Sequence, residues 1–244
     1  MKIVGLIPAR MKSSRFPGKP LAIIDGLPMV VHVLKRAKMC DKLDDVYVLT
    51  DNEEINEVVK MHGGKALMTS EKHKTGTDRM CEALNYIDAD IYVDIQGDEP
   101  LLRPEHIYKA IEPLLKDDTL QISCLAIESK QLNEVNEVKL VKDLDDNIMY
   151  FSRADIPSTL RVEHDTILKQ YCIIPFRKDL LQKFGTWGQT PLEKLEFVEL
   201  LRVLEHGYKI KCVVVDSVSR SVDTPEDFLF VEKMMKNDDL RDKY

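Results

Sequence analysis

The chain has 244 residues, 44% of them hydrophobic, enough for one large domain with a substantial core. Its 42 acidic against 35 basic residues leave a net charge of -7, with the acids spread among lysines. That balance argues against nucleic acid or an anionic membrane as partner, so any phosphate site must be a local concentration of basic residues. Five widely spaced cysteines without a Cys-x-x-Cys pair fit neither a disulfide framework nor a zinc site. The N-terminus leaves no room for a signal-peptide core, and no apolar run approaches the ~20 residues of a membrane span. A cytoplasmic protein is expected.

Short apolar runs rich in Val, Ile and Tyr alternate with segments of helical period. Strands are expected at 2–7, 45–50 and 90–95, and helices at 29–38, 53–61, 77–87 and 104–116. Strands joined through helices lie parallel and are covered on both faces, which predicts a three-layer α/β sheet binding its ligands beyond the carboxyl ends of the strands. Later the rhythm loosens into strands at 121–127, 138–142 and 168–176, then one long helix over 191–205. This stretch, residues 120–208, reads as a subregion inserted into a single domain spanning 1–244. A strand at 209–215 and a helix at 225–235 read as a return to the main sheet, and the charged end 237–244 as a frayed tail.

The first strand runs into a loop, Ile7-Pro8-Ala9-Arg10-Met11-Lys12-Ser13-Ser14-Arg15-Phe16-Pro17-Gly18-Lys19-Pro20-Leu21, that carries four cations, two hydroxyls and a glycine. Arginine forks, a mobile lysine and loop N–H groups can wrap a polyphosphate; composition alone leaves a solvated basic loop open. The glycine spacing matches neither a Walker A loop nor a dinucleotide fingerprint. Asp98 follows the strand at 90–95 on a Gly97 turn, which places a carboxylate at the sheet's carboxyl edge. Magnesium typically takes one or two protein carboxylates plus phosphate oxygens, and Asp223 is the candidate second acid. Read alone, Asp223 before Thr224-Pro225-Glu226-Asp227 is equally a helix N-cap, and Thr75-Gly76-Thr77-Asp78-Arg79 is equally the start of a helix. Arg153 ends a short strand and suits a carboxylate partner, or a surface salt bridge.

The loop pattern P-A-R-x-x-S-x-R-x-P-G-K-P resembles the nucleotide-binding loop of the CMP-KDO synthetases (KDO, 3-deoxy-manno-octulosonate). The resemblance recurs in order through Thr75-Gly76-Thr77-Asp78-Arg79, Gln96-Gly97-Asp98-Glu99-Pro100, Val138-Lys139, Tyr150-Phe151-Ser152-Arg153 and Val222-Asp223-Thr224-Pro225-Glu226-Asp227. It implies a Rossmann-like α/β nucleotidyltransferase fold with a mostly parallel sheet and an inserted acceptor-binding and dimerisation subregion. It also implies transfer of CMP from CTP to an acidic sugar with release of pyrophosphate, a requirement for Mg²⁺, and a homodimer. Ala9, Arg10, Ser14, Arg15, Lys19, Thr75, Gly76, Arg79 and Gln96 would contact the nucleotide. Arg10 and Lys19 would act in catalysis with Asp98 and Asp223, the two metal ligands. Arg153, Lys139, Gln170 and Glu199 would face the acceptor.

The chain departs from the family on the acceptor side. Gln170 and Ile174 stand where a histidine and a tyrosine are usual, and Leu200 replaces a glutamine. Sites that bond hydroxyls discriminate by whole kcal/mol when one is absent, so the changes imply either an altered acceptor or drift around an unchanged one. The six histidines are scattered, none beside a candidate nucleophile, and nucleotidyl transfer rests mainly on positioning and charge neutralisation. A metal-dependent glycosyltransferase shares acids after a central strand but has no need of a basic loop for a leaving pyrophosphate. A non-catalytic nucleotide sensor would dispense with the two acids.

Overall fold

The computed structural model describes residues 1–12, 16–216 and 220–244. The chain divides into two units, Met1–Tyr108 with Val218–Tyr244, and Lys109–Ser217.

The first unit is built on strand β1 (Ile3–Ala9), whose residues 3–7 are all buried. A two-strand hairpin, β2 (Ile23–Ile24) and β3 (Leu27–Pro28), leads into helix α1 (Met29–Lys38). Then follow β4 (Asp45–Thr50), α2 (Glu53–Met61), β5 (Lys65–Met68), α3 (Gly76–Ala83) and β6 (Ile91–Ile95). β1 pairs in parallel with β4 and β6, and β4 in parallel with β5, giving the spatial order β6-β1-β4-β5. β6 is buried along its whole length, as a strand covered on both faces is. Helix α2 starts where capping chemistry says it should: Asn52 Oδ1 accepts from Ile55 N at 3.1 Å, and Glu53 and Glu54 complement the helix dipole in its first turn.

Helix α4 (Pro104–Lys116) carries the chain into the second unit. There β7 (Ser123–Ser129), β8 (Lys139–Lys142), β9 (Ile148–Ser152) and β10 (Ile167–Tyr171) are followed by β11 (Ile173–Arg177) and α5 (Lys178–Thr186). After them come α6 (Pro191–Glu196), α7 (Leu200–Glu205) and β12 (Lys211–Val214). β7-β10-β8-β9 form antiparallel pairs, with β12 added in parallel to the outer side of β7. The chain then returns to the first unit through α8 (Pro225–Met235). The result is the mixed α/β architecture with a parallel sheet core that the sequence rhythm implies.

Four expectations are corrected. The strand expected over 168–176 is two strands parted at Cys172; burial of every residue from Tyr171 to Phe176 makes the apolar run continuous across the break. The helix expected over 191–205 is broken at Phe197, which adopts a left-handed φ of 59°. Period alone hides this because Glu193 of α6 and Arg202 of α7 both turn inward, onto each other. The strand near 209–215 does not rejoin the first sheet but pairs with β7, Cys212 opposite Cys124. Finally, residues 237–244 are tied down: Arg36 pairs with Asp238, Arg241 with Asp25, and the Tyr244 phenol reaches His32 and Arg36. A charged sequence here is a set of ion-pair partners, not a solvated end.

Candidate active site

Gln96-Gly97-Asp98 turns directly off β6. A Cβ on Gly97 would lie 2.9 Å from the carbonyl oxygen of Pro8, so only glycine lets this turn press against the end of β1. The Asp98 carbonyl accepts from Val222 N at 2.9 Å, which stitches the turn to the stretch before α8. That helix is capped by Thr224, whose hydroxyl accepts from Asp227 N at 3.2 Å while the Asp227 carboxylate accepts from Thr224 N at 2.9 Å. Thr224 therefore does the capping, and the Asp223 side chain points elsewhere. Phe16 packs edge-on against Phe228 of α8, ring centroids 5.7 Å apart, which docks the second half of the basic loop on the same helix.

Lys19 completes the arrangement. It opens a short 3₁₀ turn after Gly18, which has a left-handed φ of 74°, and its Nζ donates to Asp98 Oδ2 at 2.8 Å and Asp223 Oδ1 at 3.3 Å. Burial disfavours the ammonium, but the charges and hydrogen bonds of Asp98 and then Asp223 outweigh it and hold the Lys19 pKa above the usual lysine value. The second oxygen of Asp98, Oδ1, is buried and has no hydrogen-bond partner among the described residues. An unmet buried carboxylate oxygen beside a second acid fits a hard divalent cation. No group of three or more His, Cys, Asp or Glu that could hold a metal occurs among the described residues. A cation here would therefore take two carboxylates and fill its shell with water and substrate oxygens, the habit of magnesium.

The nucleotide-side candidates cluster around the end of β1. Ala9 is its last, buried residue. Arg10 donates through Nη2 to the Thr75 carbonyl at 2.7 Å and through Nη1 to the Lys74 carbonyl at 3.2 Å, joining the basic loop to the start of α3. Thr75 is the N-cap of α3, its hydroxyl accepting from Asp78 N at 3.1 Å. Gly76 has room, since a Cβ there would meet the Pro8 ring only at ordinary contact distance, 3.5 Å. Gln96 is half-buried in the Gly97 turn. Arg79, expected to contact the nucleotide, is fully buried, hydrogen-bonded to the Thr69 hydroxyl and 3.2 Å from Asp51. Burial lowers its pKa against the opposing charge of Asp51. Sequence reasoning missed Glu82, which accepts from Ser70 N at 2.8 Å and binds His73, so that Arg10, Arg79 and Glu82 hold residues 69–75 from three sides. Ser14 and Arg15 lie outside the described residues.

In the second unit, the Arg153 guanidinium is held by backbone carbonyls. Nε and Nη2 donate to the carbonyls of Glu196 (3.0 Å) and Phe197 (3.2 Å), and Nη1 to those of Val135 and Asn136 (3.1 Å each). It thus neutralises the C-terminal end of α6, where the helix is broken. Lys139 is buried, its Nζ donating to the carbonyls of Glu134 (2.5 Å), Glu137 (3.2 Å) and Arg153 (2.7 Å), with Asp155 at 3.5 Å. Glu196, unforeseen, accepts from the Tyr150 and Ser152 hydroxyls and the Arg153 N–H; no local pattern marks it, because its partners are 43 to 46 residues away. Gln170 lies mid-strand in β10 opposite Ala126, and Glu199 is the N-cap residue of α7.

Comparison with known proteins decides the family. Residues 4–210 match the cytidylyltransferase family model. The chain belongs to the cytidylyltransferases. It is 42% identical to a 3-deoxy-manno-octulosonate cytidylyltransferase of Pelobacter propionicus, over 94% of this chain and 95% of that protein. It is 40% identical to an 8-amino-3,8-dideoxy-manno-octulosonate cytidylyltransferase of Shewanella pealeana, over 98% of this chain and all of that one. Among solved structures it matches a CMP:2-keto-3-deoxy-manno-octonic acid synthetase complexed with CTP, with a TM-score of 0.92, 36% identity and 97% and 99% of the two chains covered. Such a match over both units makes this cytidylyltransferase alike to that synthetase in fold throughout. Among the described residues no helix is long and apolar enough to cross a membrane.

Proposed function

We propose that this cytidylyltransferase transfers CMP from CTP to 3-deoxy-manno-octulosonate and releases pyrophosphate. The observation that carries the reading is the convergence of Lys19, Asp98 and Asp223, from three distant parts of the sequence, at the carboxyl edge of β1 and β6, in a chain 42% identical to a protein of that activity. Asp98 and Asp223 would hold Mg²⁺, which when bound supplies Lewis-acid polarisation of the α-phosphate and an orienting template. The protein's own groups do the rest. Lys19 and the basic loop neutralise the leaving pyrophosphate; Arg10, already anchored on the Thr75 carbonyl, ties phosphate recognition to the segment that reads the base. The acceptor's anomeric hydroxyl gives up its proton to solvent as its oxygen attacks the α-phosphorus, the α–β phosphoanhydride bond breaks, and pyrophosphate carries away the bonding pair.

Arg153 and Lys139 frame the acceptor region by fixing the 134–137 segment against the end of β9, and Gln170 and Glu199 offer polar side chains to it. A second acceptor, the 8-amino sugar, is favoured by the Shewanella pealeana relative, whose identity is nearly as high. Two copies would assemble through the second unit, where Leu195 and Phe197 are 81% and 82% exposed. The enzyme would work in the cytoplasm, where CTP is supplied. The test is pyrophosphate release with Mg²⁺ and the octulosonate, using CTP, UTP or sugar nucleotides as donor. Release with CTP alone supports the reading, and nucleoside diphosphate release from a sugar nucleotide would replace it with glycosyl transfer.

A further inference from the structure

Arg36, near the C-terminal end of α1, is 0% exposed. A buried guanidinium is costly unless its donors are met, and here they are met by two separated parts of the chain. Nη2 lies 2.6 Å and Nη1 3.4 Å from the Asp238 carboxylate, Nη1 donates to the Leu102 carbonyl at 3.2 Å, and Nε donates to the Tyr244 phenol oxygen at 3.0 Å. The Ile24 carbonyl can only accept, so His32 Nε2 donates to it at 2.7 Å, and Nδ1 accepts from the Tyr244 hydroxyl at 2.8 Å.

The two segments that Arg36 joins are those that carry the site's acids. Leu102 closes the turn begun at Asp98: its N–H donates to the Glu99 carbonyl at 3.0 Å, and the Glu99 carboxylate accepts from Ser221 Oγ at 2.5 Å. Asp238 follows α8, the helix that starts beside Asp223. Ile24, Leu101, Val222, Val231 and Met235 share one apolar cluster. Such packing is non-directional; at its start α8 is tied to the Asp98 turn by the Val222 N–Asp98 carbonyl bond, and apolar contact alone sets no such register at its other end. The fork of Arg36 on Asp238 and Leu102 is directional, and a slide at that end passes along the helix to Asp223.

We propose that Arg36, with Asp238 and Tyr244, is a positioning cluster that sets the spacing of Asp98 and Asp223 and so tunes divalent-metal binding. The proposal rests on the reading of those two aspartates as metal ligands. Its test uses Mn²⁺ as probe on the full chain, with bound metal followed by electron paramagnetic resonance, so that no turnover is needed. Asp238→Asn and Tyr244→Phe should each weaken Mn²⁺ binding about 10-fold, the low end of the effect of outer-shell partners, and Asp238→Glu should restore part of the loss. Glu193→Ala, which unpairs a buried ion pair in the second unit, should lower the melting temperature and leave Mn²⁺ affinity as it is. If the wild type binds Mn²⁺ and both cluster variants bind it equally well, the proposal is overturned alone, whatever their melting temperatures. A wild type that binds no Mn²⁺ overturns the metal reading and the proposal with it.

Discussion

Lys19→Met removes a cation that bridges Asp98 and Asp223, and the consequence for metal binding runs against intuition. In the free protein the ammonium occupies both carboxylates, at 2.8 and 3.3 Å. A charge-assisted hydrogen bond is worth about 1.5–3 kcal/mol, and the longer contact belongs at or below the weak end. Taking about 2–3 kcal/mol for the pair together, at about 1.4 kcal/mol per tenfold in affinity, the nucleotide-free variant should bind Mn²⁺ roughly 30- to 150-fold more tightly than wild type. On the proposed function CTP should bind more weakly, because the same ammonium would be offered to its phosphates. Without metal the variant should also melt lower, with two neighbouring carboxylates left uncompensated, and metal should restore the difference. Titration with Mn²⁺ in the absence of nucleotide decides the matter. Unchanged or weakened metal affinity would show that Lys19 does not compete for the site.

Other expectations follow from the same geometry. Asp98→Asn should abolish pyrophosphate release in a protein that still folds, with a stability loss of up to about 3 kcal/mol because Oδ2 gives up its charge-assisted bond to Lys19 at 2.8 Å; retained turnover would sink its assignment. Gly97→Ala, whose Cβ would meet the Pro8 carbonyl oxygen at 2.9 Å, should destabilise by about 1–3 kcal/mol, whereas Gly76→Ala, with its nearest neighbour at 3.5 Å, should cost far less; equal losses in denaturant titrations would contradict the close approach of the turn to β1. Burial lowers the His32 pKa to about 4 from 6.5. The unfolded chain therefore takes up the proton first, and this group's contribution is present above pH 6.5 and lost as pH falls toward 4. The drop is about 3 kcal/mol at ~1.36 kcal/mol per pKa unit. The stability advantage of wild type over His32→Gln should shrink by that amount across this window, and a pH-independent difference would refute a buried neutral imidazole. Glu193→Ala removes the carboxylate that lies 2.5 and 2.8 Å from the buried Arg202 guanidinium and should cost about 3–5 kcal/mol in unfolding experiments.

What was legible in the sequence is what local chemistry writes down. The helices at 29–38, 53–61 and 104–116 carry their period, and α2 its cap and first-turn acids, within a few residues. The Gly97 turn and the Thr224 capping box are equally local, so Asp98 and Asp223 could be placed at element ends. What the sequence hid depends on partners far away. The break at Phe197 is supported by Arg153, 43 and 44 residues distant, through carbonyls that carry no side-chain signature. Residues 237–244 read as a tail because their charges have no local partners, yet Arg36, Asp25 and His32, more than 200 residues earlier, supply them. The same holds for the candidate site. Lys19, Asp98 and Asp223 follow from motif order, but that Lys19 bridges the two acids, and that Arg79 and Lys139 serve as buried supports, is a matter of packing.

CMP transfer to an octulosonate is tested most directly by pyrophosphate release from CTP and Mg²⁺ with 3-deoxy-manno-octulosonate, its 8-amino analogue, a sialic acid and simple hydroxy acids compared side by side. Rapid release is expected with an octulosonate, matched mole for mole by a CMP-sugar, and little with the others. Failure of both octulosonates, with another acceptor turned over in their place, would contradict it.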